Sequence, residues 1–159
     1  MANGLFYLGP GATNNNDPNK YGLIVEELVP GSLVDVDEWE QVWNDAGSGA
    51  STDYALWRGK STHPDYIALA SIFTRSHDKP TAAETEGIKA IHRSVLGIAE
   101  ADPPIWTDRG SGSKQDGSVW AVEVDEDPNL IQTGAFIATS GYGRPLGVRG
   151  VRRDMVEIA

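Results

Sequence analysis

Apolar residues in this chain fall into short stretches punctuated by Gly and Pro along its whole length: Gly4–Leu8, Gly22–Val29, Tyr66–Phe73, Ile88–Gly97, Val119–Val124, Ala135–Thr139 and Leu146–Ile158. Most are rich in β-branched or aromatic residues, and several alternate, as at Val119, Ala121-Val122 and Val124, or more loosely at Val148, Val151 and Val156. A period of two sends successive side chains to opposite faces, so these stretches predict half-buried strands. Short strands separated by Gly-rich turns predict an all-β sandwich, prism or barrel. The best helical candidate is Lys79–Gly87, where Pro80 and Thr81 open a turn and Ala82, Ala83, Glu84 and Glu86 favour helix. It has no apolar face, which predicts a surface excursion between strands. The polar run Asn14–Asn19 predicts an exposed loop.

Self-similarity is the strongest signal. Trp43–Trp57 set above Trp106–Trp120, an offset of 63 residues, gives seven identities in fifteen positions: Trp43/Trp106, Asp45/Asp108, Gly47/Gly110, Ser48/Ser111, Gly49/Gly112, Asp53/Asp116 and Trp57/Trp120. Downstream, Tyr66-Ile67-Ala68 matches Phe136-Ile137-Ala138 in residue type, and Ile88–Leu96 matches Val148–Val156 in its order of apolar, basic and small residues. Each unit then reads as a Trp-x-Asp-x-Gly-Ser-Gly-x-x-x-Asp loop, an aromatic strand and a strand carrying basic residues. Gly4–Gly9 and Tyr21–Val29 predict part of a third unit split between the chain ends, with first and last strands joined so that sheet edges disappear. The expected fold is one all-β domain over residues 1–159, a β-prism of three antiparallel sheets in pseudo-three-fold arrangement.

Composition narrows the partners. With 159 residues there is room for one domain and one real core. Lys plus Arg number 13 against 23 Asp plus Glu, so the net charge is −10, which disfavours nucleic acid or anionic lipid as a partner through bulk electrostatics and leaves only a local basic patch for either. Cys is absent, which excludes disulfides, thiol catalysis and thiolate metal sites. No apolar run is long enough to span a bilayer, and the first residues lack a basic-then-apolar leader, so a cytoplasmic protein, or one released without a signal peptide, is expected.

The repeated loop supports two kinds of chemistry. In the first, Asp45 and Asp108 accept hydrogen bonds from the turn that follows, and Gly47, Gly49, Gly110 and Gly112 supply backbone conformations that other residues avoid. The four Trp then bury large areas. In the second, Asp45, Gly47, Ser48, Gly49 and Asp53, with Asp108, Gly110, Ser111, Gly112 and Asp116, form a set of donors and acceptors for vicinal sugar hydroxyls, beside aromatic faces that pack on the ring. Copies on one scaffold would bind with avidity.

The basic residues Lys89 and Arg93, and Arg149, Arg152 and Arg153, fall on equivalent strands and offer a lipid-headgroup surface, or solvated faces paired with acids. Acidic clusters at Asp35–Glu38 and Asp125–Asp127 lack the loop pattern of a known calcium hand, so no metal is expected. Gly-Ser-Gly is not a nucleophile elbow, and His63, His77 and His92 sit in unrelated contexts with no zinc spacing. A site duplicated with its Ser and Asp but without a His points to binding, with no cofactor, rather than catalysis.

The two loops resemble the β-prism repeats of the fungal and plant vacuolar protein sorting-associated protein sixty-two family, and are similar to the multivesicular-body-associated β-prism. Those families carry the same tryptophan-flanked turn, then a Gly-Tyr-x-x-Leu-Gly-like strand and a valine-rich basic strand. Asp65–Ala70 lacks both glycines of that strand, and Gly134–Ile137 shifts its aromatic by one. The resemblance implies a β-prism, a shape shared with lectins, and association with membranes or with pore-forming proteins. The expected function is therefore a non-enzymatic, lectin-like module recognising cell-surface glycans, as a defence protein or toxin component. The alternative is a module that binds anionic membranes through the basic strands. Either is compatible with a homo-oligomer.

Overall fold

The computed structural model describes residues 4–13, 23–124 and 127–158. Among them the regular structure is β, apart from two single turns of 3-10 helix. A hairpin comes first, β1 (Leu5–Tyr7) with β2 (Ile24–Glu26). A first unit follows: β3 (Leu33–Asp35), β4 (Glu38–Asn44), β5 (Ala55–Lys60), β6 (Tyr66–Ile67), β7 (Ser71–Thr74) and β8 (Lys89–His92). The second unit repeats that order: β9 (Leu96–Ile98), β10 (Glu100–Thr107), β11 (Gly117–Glu123), β12 (Leu130–Ile131), β13 (Ile137–Ser140) and β14 (Arg149–Arg152).

Each unit makes two antiparallel three-stranded sheets, β4-β5-β7 with β3-β8-β6, and β10-β11-β13 with β9-β14-β12. Registers agree between the copies. Trp57 faces Ile72 as Trp120 faces Ile137. Ile91 lies between Leu33 and Ile67 as Val151 lies between Leu96 and Ile131. The all-β, prism-like class expected from the repeat therefore holds; among the described residues it is built from two repeated units and a separate two-stranded hairpin, five small sheets rather than three.

The basic strands match as aligned, and each runs into a 3-10 turn, Arg93–Val95 or Arg153–Met155. The aromatic match is a correction. Tyr66–Ile67 pairs with the basic strand β8, and its counterpart is Leu130–Ile131, paired with β14. Phe136–Ala138 instead leads into β13 beside β11, where the first unit places β7 beside β5. Similar residue types had concealed different strand partners. Closure through the chain ends is a second correction. β14 pairs with β9 and β12, while β1 pairs with β2 and makes one parallel bridge, Tyr7 to Ile88. Leu8 instead shares one buried cluster with Val151 of the last strand, together with Leu69, Ile91, Val95 and Leu96. Asn14–Asn19, Tyr21, Gly22, Asp125, Glu126 and Ala159 lie outside the described residues.

The excursion at Lys79–Gly87 contains no helix. Thr81 and Glu84 cap one another reciprocally, the Thr81 amide donating to Glu84 Oε1 at 2.9 Å and the Glu84 amide to Thr81 Oγ1 at 3.3 Å. This is a capping box with no apolar stripe behind it to extend a helix.

Each unit has its own core around its second tryptophan. Trp57 packs with Ala55, Ala70, Ile72 and Ile88, and Trp120 with Ala101, Val122, Ile137 and Val148. A third cluster, Trp43, Leu56, Val119, Phe136 and Ala138, joins the two units and supports the loops above it. Among the described residues, no helix is long and apolar enough to cross a membrane.

Candidate functional site

The loops leave β4 and β10 at Trp-x-Asp and return on β5 and β11. In the first, the Asp45 amide donates to the Tyr54 carbonyl at 3.1 Å and Asp45 Oδ1 accepts from the Tyr54 amide at 2.9 Å. Asp108 makes the same pair with Gly117, at 3.1 and 2.9 Å. The Ser48 amide and hydroxyl both turn back on Asp45, at 2.9 and 3.3 Å, and Ser111 does the same to Asp108, at 2.9 and 3.4 Å. Closing so tight a turn requires left-handed backbone at Gly47, Gly49, Gly110 and Gly112, with φ between 79° and 92°. Asp45 and Asp108 are accordingly buried, at 6% and 4% exposure, with both oxygens of each accepting hydrogen bonds. Their first role is to hold the loops shut. Asp53, Asp116 and the four glycines are exposed, and Ser48 and Ser111 half-buried.

Sequence reasoning missed a third partner of each aspartate. His77 Nε2 lies 2.7 Å from Asp45 Oδ1, and the Tyr142 hydroxyl donates to Asp108 Oδ1 at 2.8 Å and to Asp116 Oδ1 at 3.1 Å. Each stands at the same place in the register, three residues past Thr74 or Thr139, which face the equivalent residues Ala55 and Ser118. Strand register, not residue identity, would have found them.

Burial pushes the Asp108 carboxyl up, but hydrogen bonds from the Gly117 amide and the Tyr142 hydroxyl outweigh it and hold the group below the usual carboxylate range. Asp45 behaves likewise, burial being outweighed by the Tyr54 amide and His77. The bond to Asp45 raises His77, and the bond to Asp108 pushes Tyr142 up to about 12.

The loops also clasp one another. Trp43 Nε1 donates to the Gln115 carbonyl at 3.1 Å, the Asn44 amide to Gln115 Oε1 at 3.0 Å, and the Lys114 amide to the Ala46 carbonyl at 2.8 Å. Ser113 Oγ adds a bond to the Asn44 carbonyl at 2.8 Å, and Trp43 meets Trp106 edge to face at 5.3 Å. This contact explains a break in the repeat. Gly117 stands where the first loop has Tyr54, because a Cβ at 117 would lie 2.6 Å from the Trp43 ring. Free of such a neighbour, Tyr54 stacks on Phe73 at 5.3 Å and 17°. Phe73 remains 54% exposed beside the first loop.

The basic strands are largely paired with acids. Lys89 bonds Asp35 at 2.6 Å and lies 4.5 Å over the Phe6 ring; Arg93 meets Asp65 at 3.3 Å and Arg152 meets Asp154 at 2.9 Å. Arg153 Nε donates to the Pro128 carbonyl at 3.2 Å. Arg149 lines a cleft of about 40 Å³ with Arg58, Leu69 and Val122, room for water but not for a sugar. Within the acidic run Asp35–Glu38, Asp35 is held by Lys89, and Asp37 accepts from the Thr62 hydroxyl and, at 3.0 Å, from its amide.

Neither a scan of protein-family models nor a search of curated proteins finds a match for this chain. Among solved structures, GNIP1Aa from Chromobacterium piscinae shares the fold, with a TM-score of 0.81 at 24% identity over 96% of this chain. The likeness spans 31% of that protein, so this chain corresponds to about a third of it.

Proposed function

We propose that this chain is a non-enzymatic carbohydrate-binding module that meets cell-surface glycans at its paired loops, as part of a defence protein or toxin. The carrying observation is Phe73, a half-exposed ring backed by Tyr54, next in sequence to the exposed carboxylate of Asp53. An aromatic face whose stacking partner is preceded in the chain by an exposed carboxylate suits a sugar ring, whose C–H face packs on the aromatic while its hydroxyls donate to a carboxylate. Asp116, beside Tyr142 and the Arg109 guanidinium stacked 4.0 Å over it, offers a second, different acceptor. The buried Asp45 and Asp108 position these groups. The β-prism resemblance and the shared fold of GNIP1Aa agree with a module appended to a larger protein. Membrane binding through the basic strands has less support, since Lys89, Arg93 and Arg152 already face carboxylates.

Screening on a glycan array should identify a ligand. Phe73→Ala and Asp53→Asn should each weaken it by about tenfold. Both side chains lie at the surface, so the melting temperature should stay within about 3 °C. An array without a specific signal, or a ligand held equally by both variants, would end this reading.

A further inference from the structure

The two loops share one frame but differ in the group at its centre. In the second, the Tyr142 hydroxyl bonds both carboxylates of the pair, Asp108 and Asp116. In the first, the same place holds the imidazole of His77, bonded to Asp45. Asp53 has neither a hydrogen bond nor an ion pair among the described residues, although its carboxylate approaches the other two groups. One donor atom each from Asp45, Asp53 and His77 lie within 4.8 Å of one another. They arrive from three places in the fold: the end of β4, the far lip of the loop and the turn after β7.

We infer that the first loop is a divalent transition-metal site, with Asp45, Asp53 and His77 as ligands and zinc as the ion it fits best, and that the second loop is its metal-free counterpart. Zinc takes imidazole nitrogen and carboxylate oxygen at about 2.0–2.2 Å, which in a tetrahedral site puts ligand atoms about 3.3–3.5 Å apart. The existing spread, from 2.7 Å between His77 and Asp45 to at most 4.8 Å over the set, brackets that separation. Closing it requires a shift of about an ångström, and Asp53 stands on an exposed lip where such a shift meets little resistance. An imidazole in the set argues against calcium and magnesium, which prefer oxygen throughout.

Ser48 Oγ holds the other oxygen of Asp45, as a supporting contact to a ligand does. Gln41 Nε2 donates to the His77 carbonyl at 3.1 Å and so fixes the main chain that carries the imidazole. Binding displaces the proton between His77 and Asp45 to solvent and leaves a coordination position for water. In the second loop the same position holds a phenol whose proton both carboxylates already share. His63 and His92 are not equivalent candidates, since Nδ1 of each accepts an amide proton from its own turn, Asp65 at 3.1 Å and Ser94 at 3.2 Å.

The inference shares Asp53 with the sugar reading, but its test uses zinc alone, without glycan, so the two can fail separately. Chelator-treated protein titrated calorimetrically with Zn²⁺ at neutral pH, without glycan, should bind one ion per chain and melt at a higher temperature with the metal than without. His77→Tyr copies the arrangement already present in the second loop, and Asp53→Asn alters an exposed side chain, so both should fold. Each should weaken zinc by at least about 100-fold and remove the thermal shift. Absence of stoichiometric binding, or binding that both variants retain, overturns the assignment.

Discussion

Trp43→Ala should be the most damaging of the loop substitutions, lowering stability by about 3–5 kcal/mol. Trp43 is 3% exposed, packs with Leu56, Val119, Phe136 and Ala138, and spends its indole N–H on the Gln115 carbonyl of the other loop. Removing it opens a cavity between the units and orphans that carbonyl, while Gly117, which exists to admit the ring, is left facing a void. Its repeat counterpart Trp106 is only half-buried and meets the cluster from the side, so Trp106→Ala should cost about half as much. Chemical denaturation of the two variants measures the difference. Equal losses would show that the loops do not depend on this clasp.

Asp108→Ala should cost about 3 kcal/mol, by leaving the buried Gly117 amide without an acceptor and freeing Tyr142 and Ser111. Its pH dependence has a definite sign. The folded carboxyl titrates below its ordinary value of 3.8, so its contribution is complete above that pH and fades as pH falls through the lower, folded value. Tyr142 has the opposite edge. Its folded value is raised from 10.0 to about 12, so its contribution is complete below 10 and is lost as pH climbs towards 12. The stability gap between wild type and Asp108→Ala should therefore be widest between these limits and narrow at both ends. A gap independent of pH would mean that the carboxylate does not latch the loop.

The loops were legible in the sequence because their jobs admit few residue types. Only Gly tolerates the left-handed positions cheaply, a carboxylate serves both the Ser and the returning strand, and Trp fills the space beneath. The strands were less legible. An aromatic followed by Ile-Ala satisfies either β6 or β13, and only long-range pairing decides, so Phe136–Ala138 was matched to the wrong partner. His77 and Tyr142 escaped because imidazole and phenol share no letter, although each bonds an aspartate from the same position in the strand register. The clasp between loops left one trace, Gly117 in place of Tyr54, which acquires meaning only once Trp43 lies over it.

The loops are proposed to meet a partner as one preformed surface, and native-state amide hydrogen exchange tests that rigidity directly. The informative amides are Tyr54 and Gly117, held by the two aspartates, and Lys114, which bridges to the Ala46 carbonyl of the opposite loop. All three should open with free energies close to that of global unfolding, alongside the centres of β5 and β11. Exchange at the rate of an unstructured loop, with those strands still protected, would contradict the account.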